Sequence, residues 1–189
     1  GSASATTPML RLLGHADPAV RAATQKNLSR LQAMSADLYQ GHGKDSDDGL
    51  RASAVTNLGT LKHAEAAPLL IRALIDDPRS HIRRMAAIGL GKLGDRAHAP
   101  ALMDALCDAD GGVRRHAAES LVRLKATEAI PNLLMALEAN LAATSINRCL
   151  GILSGQDFGF DPKGNILERT AAIERGYEWW ALNAKNLQV

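Results

Sequence analysis

Ile82-Arg83-Arg84-Met85-Ala86-Ala87-Ile88-Gly89-Leu90-Gly91-Lys92-Leu93, followed by Gly94-Asp95, is the stretch that decides the fold. Its first five residues have counterparts in Leu50-Arg51-Ala52-Ser53-Ala54 and in Val113-Arg114-Arg115-His116-Ala117, at offsets of 32 and then 31 residues. A second landmark keeps the same offsets: Ala67-Pro68, Ala99-Pro100 and Ile130-Pro131. Two independent markers in one register define an internal repeat, and a period of this length reads as one helix pair per copy.

Inside the template copy, Ser80 reads as an N-cap, and Ile82, Ala86, Ala87, Leu90 and Leu93 recur at helical spacing. Gly94-Asp95 ends that helix. Pro100 opens the second helix in its first turn, where a missing N–H costs nothing. Leu102, Ala105 and Leu106 point inward, and the helix ends near 108–112. The flanking copies place Ala54, Leu58, Leu61, Leu70 and Leu74, and then Ala117, Leu121, Leu124, Leu133 and Leu137, at matching sites. Neither helix of a pair can bury its apolar stripe alone, so adjacent pairs must supply the facing wall.

The pattern decays at both ends. Asp17-Pro18-Ala19-Val20-Arg21 matches the start of a first helix that runs on to about Gln40, giving a degenerate unit over 8–40. Residues 41–49 read as a loop by composition. After Glu138 the register loosens. Ser145–Leu153 still reads as a helix, 154–162 is irregular, and 166–182 forms a last helix with Ile166, Thr170, Ile173, Tyr177 and Trp180 as its apolar face. Phe158 and Phe160 are placed to plug the open end of the core. The expected fold is all-α: a right-handed α-α superhelix of about four helix pairs with a C-terminal capping helix. Residues 1–155 form the solenoid, with regular units over about 48–138, and 156–189 form an aromatic-rich cap of the same domain.

Composition narrows the function classes. The chain is 46% apolar and 22% charged, with a formal net charge of +2 and a pI near 8.7. That charge is too mild to point to nucleic acid by itself. No apolar run reaches the roughly 18–20 residues that span a bilayer, so no membrane insertion is expected. Gly1-Ser2 reads as a cloning scar, which leaves open both a cytoplasmic location and export with a removed leader. Cys107 and Cys149 read as small buried hydrophobes.

The residues resemble the short HEAT-like repeats of bacterial and archaeal proteins named for phycobilin-lyase subunits. The pattern stands as Asp17-Pro18-Ala19-Val20-Arg21, as Ala86-Ala87-Ile88-Gly89-Leu90-Gly91-Lys92-Leu93 and as the three Pro-led helices, over roughly residues 8–138. The resemblance implies a HEAT-like α-solenoid and is unspecific for activity. One HEAT-like enzyme, deoxyhypusine hydroxylase, binds iron through His-Glu dipeptides. No histidine here is followed by Glu, so neither a metal nor another cofactor is expected.

Arg21, Arg51, Arg83 and Arg114 recur at one repeat position and are expected to pair with acids at the turns, such as Asp48, Asp77 and Asp110. Arg84, Lys92, Arg115 and Arg123 form a possible anion-binding strip, interrupted by Glu119. On the second helices, which line the concave side of such stacks, Leu69, Arg72, Asp104, Asn132 and Met135 form a mixed strip suited to a protein partner. Trp179 is the expected exposed contact beside them, because Trp180 continues the apolar stripe. No catalytic constellation emerges. The expectation is a non-enzymatic interaction or scaffold domain, monomeric or part of a larger complex. The alternative is an accessory, chromophore-holding subunit resembling bilin lyase subunits. Nucleic-acid binding through the basic strip is a weaker third reading.

Overall fold

The computed structural model describes residues 17–20, 22, 23, 26, 48–61 and 66–187, with the side chains of 48–51, 53 and 61 excepted. The long helix expected up to Gln40, Arg21 and the side chain of Arg51 lie outside the described residues. The secondary structure among the described residues is helical, joined by turns, and the chain divides into two compact units, Gly1–Leu93 and Gly94–Val189. Among them no helix is long and apolar enough to cross a membrane.

In the first unit, α1 (Asp48–Leu61), α2 (Ala66–Asp76) and α3 (Ser80–Leu93) pack against one another. Leu58, Leu70, Ile82 and Leu90 are fully buried, as the repeat register requires, and each such side chain contributes about 1.5–3 kcal/mol of burial. The first helices of successive pairs, α1 and α3, meet backbone to backbone. A Cβ added at Gly59 would stand 2.5 Å from the Gly89 Cα, so only glycine permits this approach.

In the second unit, α4 (Ala99–Asp104) leads through a 3-10 turn at Ala105–Cys107 to α5 (Gly111–Arg123), α6 (Ile130–Glu138), α7 (Ala143–Ser154) and α8 (Ile166–Asn183). Pro100 and Pro131 open α4 and α6 in the first turn. First helix α5 packs on α7, and second helix α6 packs on α8. The α7–α8 segment therefore repeats the stacking of the regular pairs, with a longer connection at 155–165. Phe158 and Phe160 are buried in that connection. Arg175 donates from Nε (3.1 Å) and Nη2 (2.7 Å) to the Phe158 carbonyl, and Asn147 Nδ2 donates to the Phe160 carbonyl at 3.2 Å.

Among the described residues, the repeat arginines Arg83 and Arg114 donate to main chain. Arg83 Nη1 donates to the Asp77 carbonyl at 2.9 Å, and Arg114 Nη1 donates to the carbonyls of Asp108 (2.6 Å) and Ala109 (2.9 Å). The acids shape the turn: Asp77 Oδ1 accepts from the Arg79 N–H, and Asp108 Oδ1 accepts from the Asp110 N–H. Asp17 Oδ1 accepts in the same way from the Ala19 N–H. This Asx turn followed by an arginine clamp satisfies carbonyls that the end of a helix leaves orphaned.

Two sequence expectations need correction. Ser80 does not cap α3: the Arg79 carbonyl accepts the first helical hydrogen bonds, from Ile82 and Arg83, so Ser80 lies within the first turn. Cys107 is exposed, because the tightening of α4 into a 3-10 turn rotates it off the buried face; Cys149 is buried. Burial pushes the Cys149 thiol up to about 11.

Candidate functional site

Among the described residues, α6 and α8 close on each other incompletely. The two helices touch where Gly176 meets Leu134: a Cβ on Gly176 would stand 2.4 Å from Leu134 Cδ2. Beside this contact opens a cavity of about 230 Å³, lined by Leu137 and Glu138 of α6 and by Ile166, Arg169, Thr170, Ile173, Glu174 and Tyr177 of α8. The α8 residues recur at three and four, which places them on one helical face.

Local chemistry fixes both walls. Helix α8 starts with a capping box: the Glu168 N–H donates to Asn165 Oδ1 at 3.0 Å, and the Asn165 N–H donates to Glu168 Oε2 at 3.2 Å. Helix α6 ends with two tail bonds, Asn140 N–H to the Leu137 carbonyl and Leu141 N–H to the Ala136 carbonyl. That Schellman ending puts Asn140 at φ 53°, and Ala142 follows at φ 47°. Non-glycine residues in this region are strained. The strained turn begins two residues after Glu138.

Glu138 and Tyr177 both line the groove. Burial, then the Glu138 charge and the hydrogen bond to its carboxylate, hold the Tyr177 hydroxyl above the usual phenol range. The cavity thus combines aliphatic walls with two carboxylates, one guanidinium and one phenol.

The residues expected at the site are distributed differently. Leu69 is half-buried and Arg72 exposed on α2 of the first unit. In the second unit Asp104 is exposed at the end of α4, while Asn132 and the 47% exposed Met135 sit one turn apart on α6. Met135 is three residues before Glu138, so this part of the expected strip adjoins the groove. Trp179 is not a free contact. It is half-buried, with its ring edge-on to Phe158 at 5.9 Å and 62°, because the 155–165 connection folds back onto α8.

Arg84 is half-buried and Lys92 exposed on α3, and Lys92 lines a smaller crevice of about 140 Å³ between α1 and α3. Arg115 and Arg123 are exposed on α5. Glu119 interrupts that strip: its carboxylate accepts from Arg148 Nη2 at 3.2 Å and stands 3.1 Å from His116 Nδ1, while Arg115 Nη2 contacts His116 Nε2 at 3.0 Å.

Sequence reasoning missed Glu138, Arg169 and Glu174. It assigned Ile166, Thr170, Ile173 and Tyr177 to a packing face. In the structure Ile173 is buried, but Ile166 is 65% exposed and Thr170 is exposed. The buried face of α8 is rotated onto Ala172, Ile173 and Gly176 because only small residues let it close on Leu134. The readable signal was the polarity of the stripe, since Thr170 sits in it and Arg169 and Glu174 flank it.

Paired helices with Pro-led second members, stacked in register, define a HEAT-type protein. The family of HEAT repeats matches residues 35–106 and 83–144, more than half of the sequence, and the chain belongs to that family. It is 29% identical over 142 residues to the bilin biosynthesis protein PecF of Nostoc sp. strain PCC 7120, covering 68% of this chain and 82% of PecF. It is also similar to the complex of CpcE and CpcF of phycocyanin lyase from Nostoc sp. PCC 7120, with a TM-score of 0.59 and 26% identity. That match covers 80% of this chain, which spans 65% of the length of the chain it matches.

These relatives overturn the expectation of a non-enzymatic protein: one serves in bilin biosynthesis and the others form a lyase. The sequence showed no catalytic constellation because HEAT packing occupies the regular positions and leaves no spacing-specific motif. The relatives also favour the chromophore-linked alternative over a plain scaffold.

Proposed function

We propose that this chain is a bilin-lyase-type subunit that binds a linear tetrapyrrole and works in a complex with a second protein chain. The observation that carries this reading is the similarity to PecF, which extends over 68% of the chain. The structural likeness to the two-protein CpcE–CpcF complex points the same way and supplies the kind of partner. We assign to that partner the part of the mixed strip that lies in the second unit, Asp104, Asn132 and Met135. Its half-exposed methionine and interspersed polar groups fit the composition of a protein interface. The basic residues Arg115 and Arg123 are poorer support for nucleic acid, because the Glu119 carboxylate sits among the cations of the same surface.

Mixing the purified chain with biliverdin, a linear tetrapyrrole, tests the reading. Binding restricts the flexible chromophore, so its visible absorption bands shift and it acquires induced circular dichroism. Saturation is expected at micromolar ligand. Bands that stay those of the free pigment throughout the titration overturn the proposal.

A further inference from the structure

The α6–α8 groove is an amphipathic helix face that packing has only half used. Of the α8 stripe, Ile173 goes into the core, while Ile166 stays 65% exposed, its neighbour Leu167 is 77% exposed, and Thr170 opens to the cavity. Large apolar side chains left exposed beside a concave, partly polar site are the usual mark of a ligand surface. The polar groups are not scattered. Arg169 and Glu174 lie on α8 and Glu138 on α6, with Tyr177 of α8 in the same lining. Asn140 and Ala142 take left-handed backbone angles in the turn that follows Glu138.

This set matches a pigment that is flat and apolar on its faces, donates N–H groups along one edge and carries carboxylates on flexible arms. An apolar wall of Leu137, Ile166 and Ile173 accepts the ring face. Carboxylates accept pyrrole N–H groups, and a guanidinium binds a propionate by paired, charge-assisted hydrogen bonds. The volume of about 230 Å³ is below the roughly 300–1,000 Å³ of sites that enclose a whole drug-sized ligand. The groove therefore takes one end of an extended molecule and leaves the rest over the exposed Ile166 and Leu167.

Resting on the functional reading above, we propose that the α6–α8 groove seats one end of the linear tetrapyrrole. Arg169 faces a propionate, and Glu138 and Glu174 face pyrrole N–H groups. None of these three residues belongs to the strip assigned to the protein partner.

The test compares biliverdin binding by the wild-type chain, Thr170→Trp and Arg169→Glu, each checked for unchanged helical circular dichroism and melting temperature. Thr170 is exposed, so a tryptophan there fills the groove without entering the core. Thr170→Trp is expected to weaken binding by at least about ten-fold, and Arg169→Glu by about ten-fold for biliverdin. Biliverdin dimethyl ester has no propionate charge, so Arg169→Glu should leave its affinity unchanged. Wild-type binding that both variants retain in full overturns the groove while the functional reading stands. Absence of binding by the wild-type chain overturns the functional reading and the groove together. If Thr170→Trp blocks binding but Arg169→Glu weakens acid and ester equally, the assignment of Arg169 to a propionate is overturned.

Discussion

The regular pairs and the C-terminal segment solve the same packing problem with different materials. In α1 and α3, small residues bring helices together, and Gly59 lies against Gly89 with no room for a methyl group. In α7, α8 and their connection, aromatic rings fill the space: Phe158 and Phe160 are buried, and Trp179 stands edge-on to Phe158. The turns differ as well. The regular units use one device twice, an Asx turn at Asp77 or Asp108 clamped by Arg83 or Arg114. The C-terminal segment uses single solutions, Arg175 on the Phe158 carbonyl and Asn147 on the Phe160 carbonyl. Repetition spends an apolar stripe entirely on its neighbours. The irregular segment leaves part of its stripe open, and the groove is there.

The sharpest way to break this comparison is to remove a ring. Phe158→Ala deletes a buried aromatic together with its contact to Trp179, and a loss of about 3–4 kcal/mol is expected in urea unfolding followed by tryptophan fluorescence. A loss below about 1 kcal/mol would mean that the rings cover the segment without holding it. Gly59→Ala probes the other material. The added methyl meets the Gly89 backbone at 2.5 Å, an overpacking cost of about 1–3 kcal/mol, set against about 1 kcal/mol gained in helix propensity. A net destabilisation of up to about 2 kcal/mol is expected, and a stabilised variant would show that α1 and α3 can move apart freely.

The same contrast explains what could be read in the sequence. Leu58, Leu70, Leu90, Leu102, Leu121 and Leu133 were placed in the core by register alone, and each is buried. A repeat supplies several copies of the same evidence. The arginine position was legible, but the carbonyls that Arg83 and Arg114 reach were not, because the repeat pattern does not show which main-chain groups a turn leaves open. The face of α8 was misread because helical spacing fixes which residues share a side, not how far the helix rotates. That rotation is decided by Gly176 against Leu134, a contact between elements far apart in sequence. The groove was therefore invisible until α6 and α8 were placed together. The repeat pattern carries the fold, whereas the link to bilin proteins rests on similarity to individual relatives and on no motif within the repeat.

The smallest expected effect concerns a link between successive repeats. Arg96 donates from Nε to both carboxylate oxygens of Glu128 at 3.1 Å, and its Nη2 joins the same pair. Arg96 and Glu128 occupy matching connections of adjacent units, so the pair fastens one repeat to the next. The hydrogen bond from Arg96 holds the Glu128 carboxyl below the usual glutamate range, and the same bond raises Arg96. The sign follows from the depressed carboxyl. The pair contributes in full above the ordinary glutamate value of about 4.3, and the contribution is lost as pH falls through the lower folded-state value. Both side chains are about a third or more exposed, so solvent screening limits the coupling to about 0.5 kcal/mol. A double-mutant cycle of Arg96→Ala and Glu128→Gln should show that coupling at neutral pH, a smaller value in high salt, and nothing once the carboxylate is protonated. A coupling that persists unchanged in acid would mean that Glu128 holds the junction by packing, as the glycines do within α1 and α3, and not by its charge.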